Sequence, residues 1–148
     1  MIAVIQRSKE AYVSVDAKIV GRISHGLVIL IGVFRNDSAA DAAFLADKIS
    51  GLRIFGDKQQ KMNLSIKDVA GEALVISQFT LCGDWRKGRR PGFSDAADPQ
   101  TGRQLYEEFI ACLQTAGVPT QQGIFGAMMD VNLTNDGPVT FVLDSRFK

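Results

Sequence analysis

Histidine is nearly missing from this chain: there is one, His25. Any Ser-His-Asp or Cys-His arrangement would have to be built on that residue. Its surroundings, Arg22-Ile23-Ser24-His25-Gly26, read as a turn between two strands, where a surface histidine is the ordinary outcome. Cysteine is scarce too. Cys82 and Cys112 form no CxxC pair and no disulfide framework, and with one histidine they make a poor zinc site. Neither a GxGxxG nor a GxxxxGK[ST] stretch occurs, so nothing indicates a nucleotide cofactor. No apolar run approaches the ~20 residues of a membrane span. The start, Met1 to Arg7, is too short and too soon followed by strand-like sequence to read as a signal peptide. Net charge is only +1, so attraction for a polyanion has to come from local clustering. These absences predict a protein of the cytoplasm, soluble and off the membrane, that works without metal, cofactor or catalytic triad.

What is present is ordinary in bulk and uneven in detail. At 148 residues, with 46% hydrophobic and 22% charged content, a single domain spanning 1–148 with its own core is expected. Ile2 to Gln6 and Tyr12 to Asp16 read as strands, and a turn at Asp16-Ala17 leads to a third over Lys18 to Ile23. Leu27 to Val33 is the most continuous apolar run and is expected to be central, with Gly32 marking a bulge or a close backbone approach. Asn36-Asp37-Ser38 starts a helix with Asp37 or Ser38 as its cap. Ala42, Leu45, Ala46, Ile49 and Leu52 form its buried face, and it ends near Gly51. Ile54-Phe55 is a short strand, and Lys61 to Ser65 is ambiguous. Ala73 to Ile76 is a buried strand.

Pro99 to Ala116 forms the second helix, with Leu105, Phe109, Cys112, Leu113 and Ala116 inward and Gly117 as its cap. Gln121 to Phe125 reads as a connection. Met129, Val131 and Leu133 mark a half-buried strand, a hairpin turn follows at Asn135 to Pro138, and Val139 to Leu143 closes the chain. The pattern predicts an α+β fold, with mainly antiparallel, barrel-like β-sheet covered by two helices.

Three stretches stand out chemically. The strand Ala73 to Ile76 runs into Ser77-Gln78-Phe79-Thr80-Leu81, where polar side chains collect at a strand end. This reads equally as a reactive site on a rigid scaffold and as the wet face of a strand. A loop follows with Arg86, Lys87, Arg89 and Arg90 between glycines, either an anion-binding patch or a solvated surface loop. The third is Asn135-Asp136-Gly137-Pro138-Val139-Thr140. Its residues suit a turn, but a proline at the mouth of a strand removes a ladder donor, and a Gly-Pro bond is open to the cis form.

Taken in order, these stretches closely resemble the D-aminoacyl-tRNA deacylases. The likeness runs from Ala3-Val4-Ile5-Gln6-Arg7 through Lys61-Met62-Asn63-Leu64-Ser65 and Phe125-Gly126-Ala127-Met128 to Leu143-Asp144-Ser145. It implies an enzyme that hydrolyses the ester joining a D-amino acid to the terminal ribose of tRNA. Such an enzyme also clears glycine-mischarged tRNA, spares L-aminoacyl esters and so proofreads chirality in translation. It implies a homodimer acting on aminoacyl-tRNA, not on DNA, with a cis Gly-Pro of one subunit entering the other's site; here that role falls to Gly137 and Pro138. Ser77, Gln78, Phe79 and Thr80 are then the catalytic stretch. Thr80 is either a nucleophile, which would need a base, or a positioning residue. In the second case the N–H groups of Phe79 and Thr80 form an oxyanion hole and the tRNA 2′-OH assists water; we assign Thr80 this second role. Arg86, Lys87, Arg89 and Arg90 become the tRNA phosphate clamp. Phe79 and Phe125 are candidates to stack the terminal adenine, each equally readable as core. Related deacylases with an altered motif and a trans Gly-Pro are disfavoured by the intact Ser77-to-Leu81 stretch. An RNA-end binding module without turnover and a small-molecule esterase using Thr80 are the competing readings.

Overall fold

The first strand is longer than its pattern suggests. In the computed structural model, which describes residues 1–147, β1 (Ile2–Val15) runs unbroken through the polar Gln6 to Glu10 stretch. It does so because it has partners throughout. Its first half pairs antiparallel with β3 (Gly26–Gly32), and its second half with β2 (Lys18–Ile23). Its other edge carries β8 (Asp130–Asp144) along its whole length. Ser8 marks the bend between the halves: fully buried, its hydroxyl lies 2.7 Å from the Glu10 carbonyl oxygen and 3.2 Å from that of Thr134. A buried hydroxyl so satisfied costs little.

The sheet continues from β3 to β6 (Glu72–Ser77) and β7 (Thr120–Gln122), in the order β2-β1-β3-β6-β7. The last two pairings are parallel. Parallel neighbours need crossovers: α1 (Ala39–Gly51) lies in the first and α2 (Pro99–Thr115) in the second. Both helices cover one face, where Leu45, Ile49, Phe109 and Leu113 meet Ile5, Ile29 and Val75. Burying one such aliphatic side chain stabilises by about 1.5–3 kcal/mol. The opposite face curls on itself around Val13, Ile23, Val28, Leu74 and Ile76. β2 returns so close to β7 that a Cβ on Gly21 would stand 2.8 Å from the Gln122 carbonyl oxygen. The expected barrel-like α+β architecture is thus present, with four antiparallel ladders and two parallel ones.

The helix ends follow their caps. Ser38 caps α1 and its N–H donates to Asp41 at 2.9 Å. Asp37, the other candidate, instead accepts from the Phe34 N–H and lies 2.6 Å from the Met1 ammonium. Asp98 caps α2 through the N–H groups of Gln100 and Thr101, with Pro99 in the first turn. Gly117 ends it with φ +88°. The ambiguous stretch at Lys61 resolves into β5 (Met62–Leu64), paired with β4 (Phe55–Gly56).

Three expectations are corrected, and the two readings of Gly32 narrow to one. Gln121 lies in β7, a short polar edge strand whose pairing is dictated by the open edge of β6. Cys112 sits at the rim of α2's inward face, which is centred on Tyr106, Phe109 and Ile110, and its thiol points to Glu108 at 3.9 Å. The buried thiol is Cys82. Asn135 to Pro138 makes no hairpin, because β8 continues through it as one strand. Gly32 is a close approach, since its register with Ile2 is regular.

Candidate functional site

The β6 ladder extends one residue past the strand, where the Gln78 N–H donates to the Ile31 carbonyl at 2.7 Å. The chain then tightens into a 3₁₀ turn, Phe79–Cys82. Within it, Leu81 N–H is held by Gln78 O at 3.2 Å and Gly83 N–H by Thr80 O at 3.0 Å. The N–H groups of Phe79 and Thr80 lead the turn, where a helical turn offers them no carbonyl of its own. Gly32 lets this turn sit directly on β3. A side chain there would meet Ile2 at 2.9 Å, Leu81 at 3.0 Å and the Cys82 sulfur at 3.1 Å. Burial pushes the Cys82 thiol up to about 11.

Thr80 and Phe79 are exposed at the head of the turn, and Ser77 and Gln78 are half-buried behind them. The Gln78 side-chain amide donates to the Thr80 hydroxyl oxygen at 2.5 Å. A donor in that place orients the hydroxyl but cannot take its proton. His25 stands elsewhere, edge-on to Phe55 with ring centroids 5.4 Å apart. Phe79 is 58% exposed and packs edge-on against Phe93 at 5.0 Å. Phe125 is more confined: half-buried, with Tyr106 at 5.8 Å and the Arg103 guanidinium at 5.3 Å.

The basic loop follows the turn directly and is pinned at its base by paired backbone bonds between Asp84 and Gly92, 2.7 and 2.8 Å. Arg86 turns back on this base and grips both Asp84 oxygens at 2.8 and 3.0 Å. That contact holds the Asp84 carboxyl down at about 2. Lys87, Arg89 and Arg90 are exposed around the tip, where Gly88 takes φ +74°. Among the described residues, no three His, Cys, Asp or Glu side chains gather to hold a metal.

Gly137 and Pro138 occupy a wide bulge in β8. Thr140 pairs with Gln6 and Asn135 with Ser8, so four residues of β8 stand opposite Arg7 alone. Such a bulge asks nothing of the proline's missing donor. The Gly137–Pro138 bond is cis. Asn135 spans the neck of the bulge, donating to the Arg7 carbonyl at 2.9 Å and the Val139 carbonyl at 3.2 Å. Arg7 holds the crest: its Nε lies 2.9 Å from the Asp136 carbonyl and 3.0 Å from its carboxylate, while NH1 donates to Ile54 O at 2.7 Å. No side chain fits at 137, since a Cβ there would stand 2.1 Å from the Val139 nitrogen. Both Gly137 and Pro138 are exposed.

The sheet register shows which of these residues come together. Ser77 to Thr80 run from the end of β6 into the turn that leads directly to the basic loop. Gly137 and Pro138 do not join them within the chain. β1 and β3 lie between β8 and β6, and the bulge is level with Leu27 and Ala73 while the site is level with Ile31 and Ser77. Three strand spacings and four residues of rise separate the two by roughly 19 Å. Arg7, Asn135 and Gly32 are the supporting residues that sequence reasoning did not assign. The polar pair Gln6-Arg7 ending an apolar run was the available signal for the first.

A family model described as D-Tyr-tRNA(Tyr) deacylase matches residues 4–144. The D-aminoacyl-tRNA deacylase of Fervidobacterium nodosum is 55% identical over 99% of this chain and 98% of its own. That of Thermus aquaticus is 55% identical over 100% and 97%. Among solved structures, the c-Myc DNA Unwinding Element Binding Protein superposes with a TM-score of 0.91 at 34% identity, covering 97% of this chain and 98% of the other. A probable eukaryotic D-amino acid tRNA deacylase shares the fold, with a TM-score of 0.82 at 18% identity over 96% and 97%.

Proposed function

The chain belongs to the D-Tyr-tRNA(Tyr) deacylase family, and from that membership we propose that it hydrolyses the ester of D-aminoacyl-tRNA. Free tRNA and the D-amino acid are released, glycine-mischarged tRNA is cleared by the same route, and L-aminoacyl-tRNA is spared. The observation that carries the mechanism is the exposed Thr80 hydroxyl oriented by the Gln78 amide with no base on it. A nucleophile would need one. The leading N–H groups of Phe79 and Thr80 instead receive the ester's developing oxyanion, and the 2′-OH of the terminal ribose assists attack by water. Donors of this kind are each worth a factor of about 10²–10³, which is ample for an already activated ester. The need for a 2′-OH makes the partner RNA and not DNA.

Lys87, Arg89 and Arg90 hold acceptor-end phosphates, with Arg86 at the base of their loop on its Asp84 partner. Gly137 and Pro138 reject the L side chain from a second copy of the chain, which is how groups ~19 Å apart in one subunit act on one substrate. The homodimer uses the sheet face away from the helices. There the paired residues Val4, Leu30 and Val142 form an open apolar surface, Val142 being 66% exposed. Residues 1–148 act as one domain, since both cores are built on the same strands β1, β3 and β6, and the protein works in the cytoplasm on newly charged tRNA.

The test is hydrolysis of matched D-, L- and glycyl-tRNA with a chelator present. Loss of the D and glycyl esters with the L ester intact is expected. Equal loss of D and L would remove the chiral role from Gly137-Pro138.

A further inference from the structure

Behind the catalytic turn lies a pocket of about 240 Å³ that this reading leaves unused. Its lining includes Ile2, Phe34, Leu81 from the turn itself, Trp85, Arg86 and Arg146. Trp85 is 76% exposed. The Arg146 guanidinium stands over the Phe34 ring, 4.1 Å from its centroid, and is fixed there by the Asp144 carboxylate at 2.6 to 3.1 Å. Arg86 is likewise held by Asp84.

Each guanidinium in this pocket therefore arrives with its own carboxylate. The lining carries little excess charge for a phosphate, in contrast to Lys87, Arg89 and Arg90 on the loop above. What it offers is an exposed indole and two guanidinium groups, each held by a carboxylate. That is the chemistry of a platform for an unpaired nucleobase. A carboxylate also suits the amino group of cytosine, and a guanidinium its carbonyl oxygen.

We propose that this pocket takes the base of the unpaired cytidine that precedes the terminal adenosine of tRNA, an inference that rests on the reading of the turn as the ester site. The 3₁₀ turn advances only about 2 Å per residue, so the pocket opens within one nucleotide of Thr80. An acceptor strand running from the ester at the turn to the phosphates on the basic loop passes over it. Every tRNA ends in the same unpaired nucleotides, so a base pocket here costs the enzyme no breadth of substrate.

Trp85 is the chain's one tryptophan, so its fluorescence reports on the pocket without any turnover. Titration with the trinucleotide cytidyl-cytidyl-adenosine is expected to quench it saturably, and the same trinucleotide lacking the middle base to quench weakly. In kinetics, the wild-type preference for a D-aminoacyl trinucleotide over a D-aminoacyl adenosine should fall by about ten-fold in Trp85→Ala and be largely kept in Trp85→Phe, the scale expected for one stacked base. Equal quenching by the abasic trinucleotide, or a preference unchanged in Trp85→Ala, would overturn the proposal. Saturable, base-dependent quenching with neither ester cleaved would keep the pocket and remove the hydrolytic reading instead.

Discussion

At the scale of single residues, the site is defined by what a side chain is given to bond with. Thr80 is given a donor, so its hydroxyl oxygen is an acceptor held in place. Thr80→Ala is expected to keep measurable turnover of D-aminoacyl-tRNA, losing about ten-fold for one neutral hydrogen bond, as single-turnover kinetics would show. Complete loss would make it the nucleophile after all. Cys82 is given burial, which raises its thiol from 9.0 to about 11. The folded chain then keeps a proton that the unfolded chain releases first. The stability this contributes is present below pH 9 and lost as pH climbs from 9 to 11. Urea midpoints across that range should fall more steeply for wild type than for Cys82→Ala. The types of these residues were plain in the sequence, but their partners were not: Gln78 and Thr80 are near neighbours, whereas Arg7 and Asp136 meet only across a ladder.

At the scale of elements, one glycine decides how strand and turn fit. Adding a methyl at Gly32 puts it 2.9–3.1 Å from Ile2, Leu81 and Cys82, so the Phe79–Cys82 turn must move off β3. Gly32→Ala is expected to lower kcat by ten-fold or more, since sub-ångström misplacement of oxyanion donors is costly. The loss of stability should stay within about 1–3 kcal/mol. Activity assays beside thermal melts would separate the two. Most elements were legible because their periodicity and caps are local: α1 and α2 follow from apolar spacing, Ser38 and Gly117. The misread ones depend on distant partners. Thr120 to Gln122 becomes a strand because β6 offers an edge, and Asn135 to Pro138 uses turn residues to build a bulge because β1 continues opposite it.

At the scale of the whole molecule, the open end of the sheet face and the exposed bulge belong to one argument. Val142 is exposed on a surface shared with Val4 and Leu30, and a lysine there would put a charge into any apolar contact with a second copy. Val142→Lys is expected to shift the protein to monomer in sedimentation and to cut D-aminoacyl-tRNA hydrolysis by about 10²-fold, a scale comparable to losing one catalytic donor. A monomeric variant with full activity and intact D/L discrimination would refute the exchange of Gly137-Pro138 between subunits.

By itself the sequence determined the family resemblance, the two helices, the buried strands and the residue types at the site. Each of these rests on short-range order: spacing, caps and runs of a few residues. Only the tertiary structure decided that β1 and β8 are single long strands, that the cysteine behind the turn and not the one on the helix is buried, and that Arg7 holds the bulge. It alone also set the bulge and the Phe79–Cys82 turn three strand spacings apart on one sheet. Those facts depend on strand order and register, which couple residues as far apart as Gln6 and Thr140.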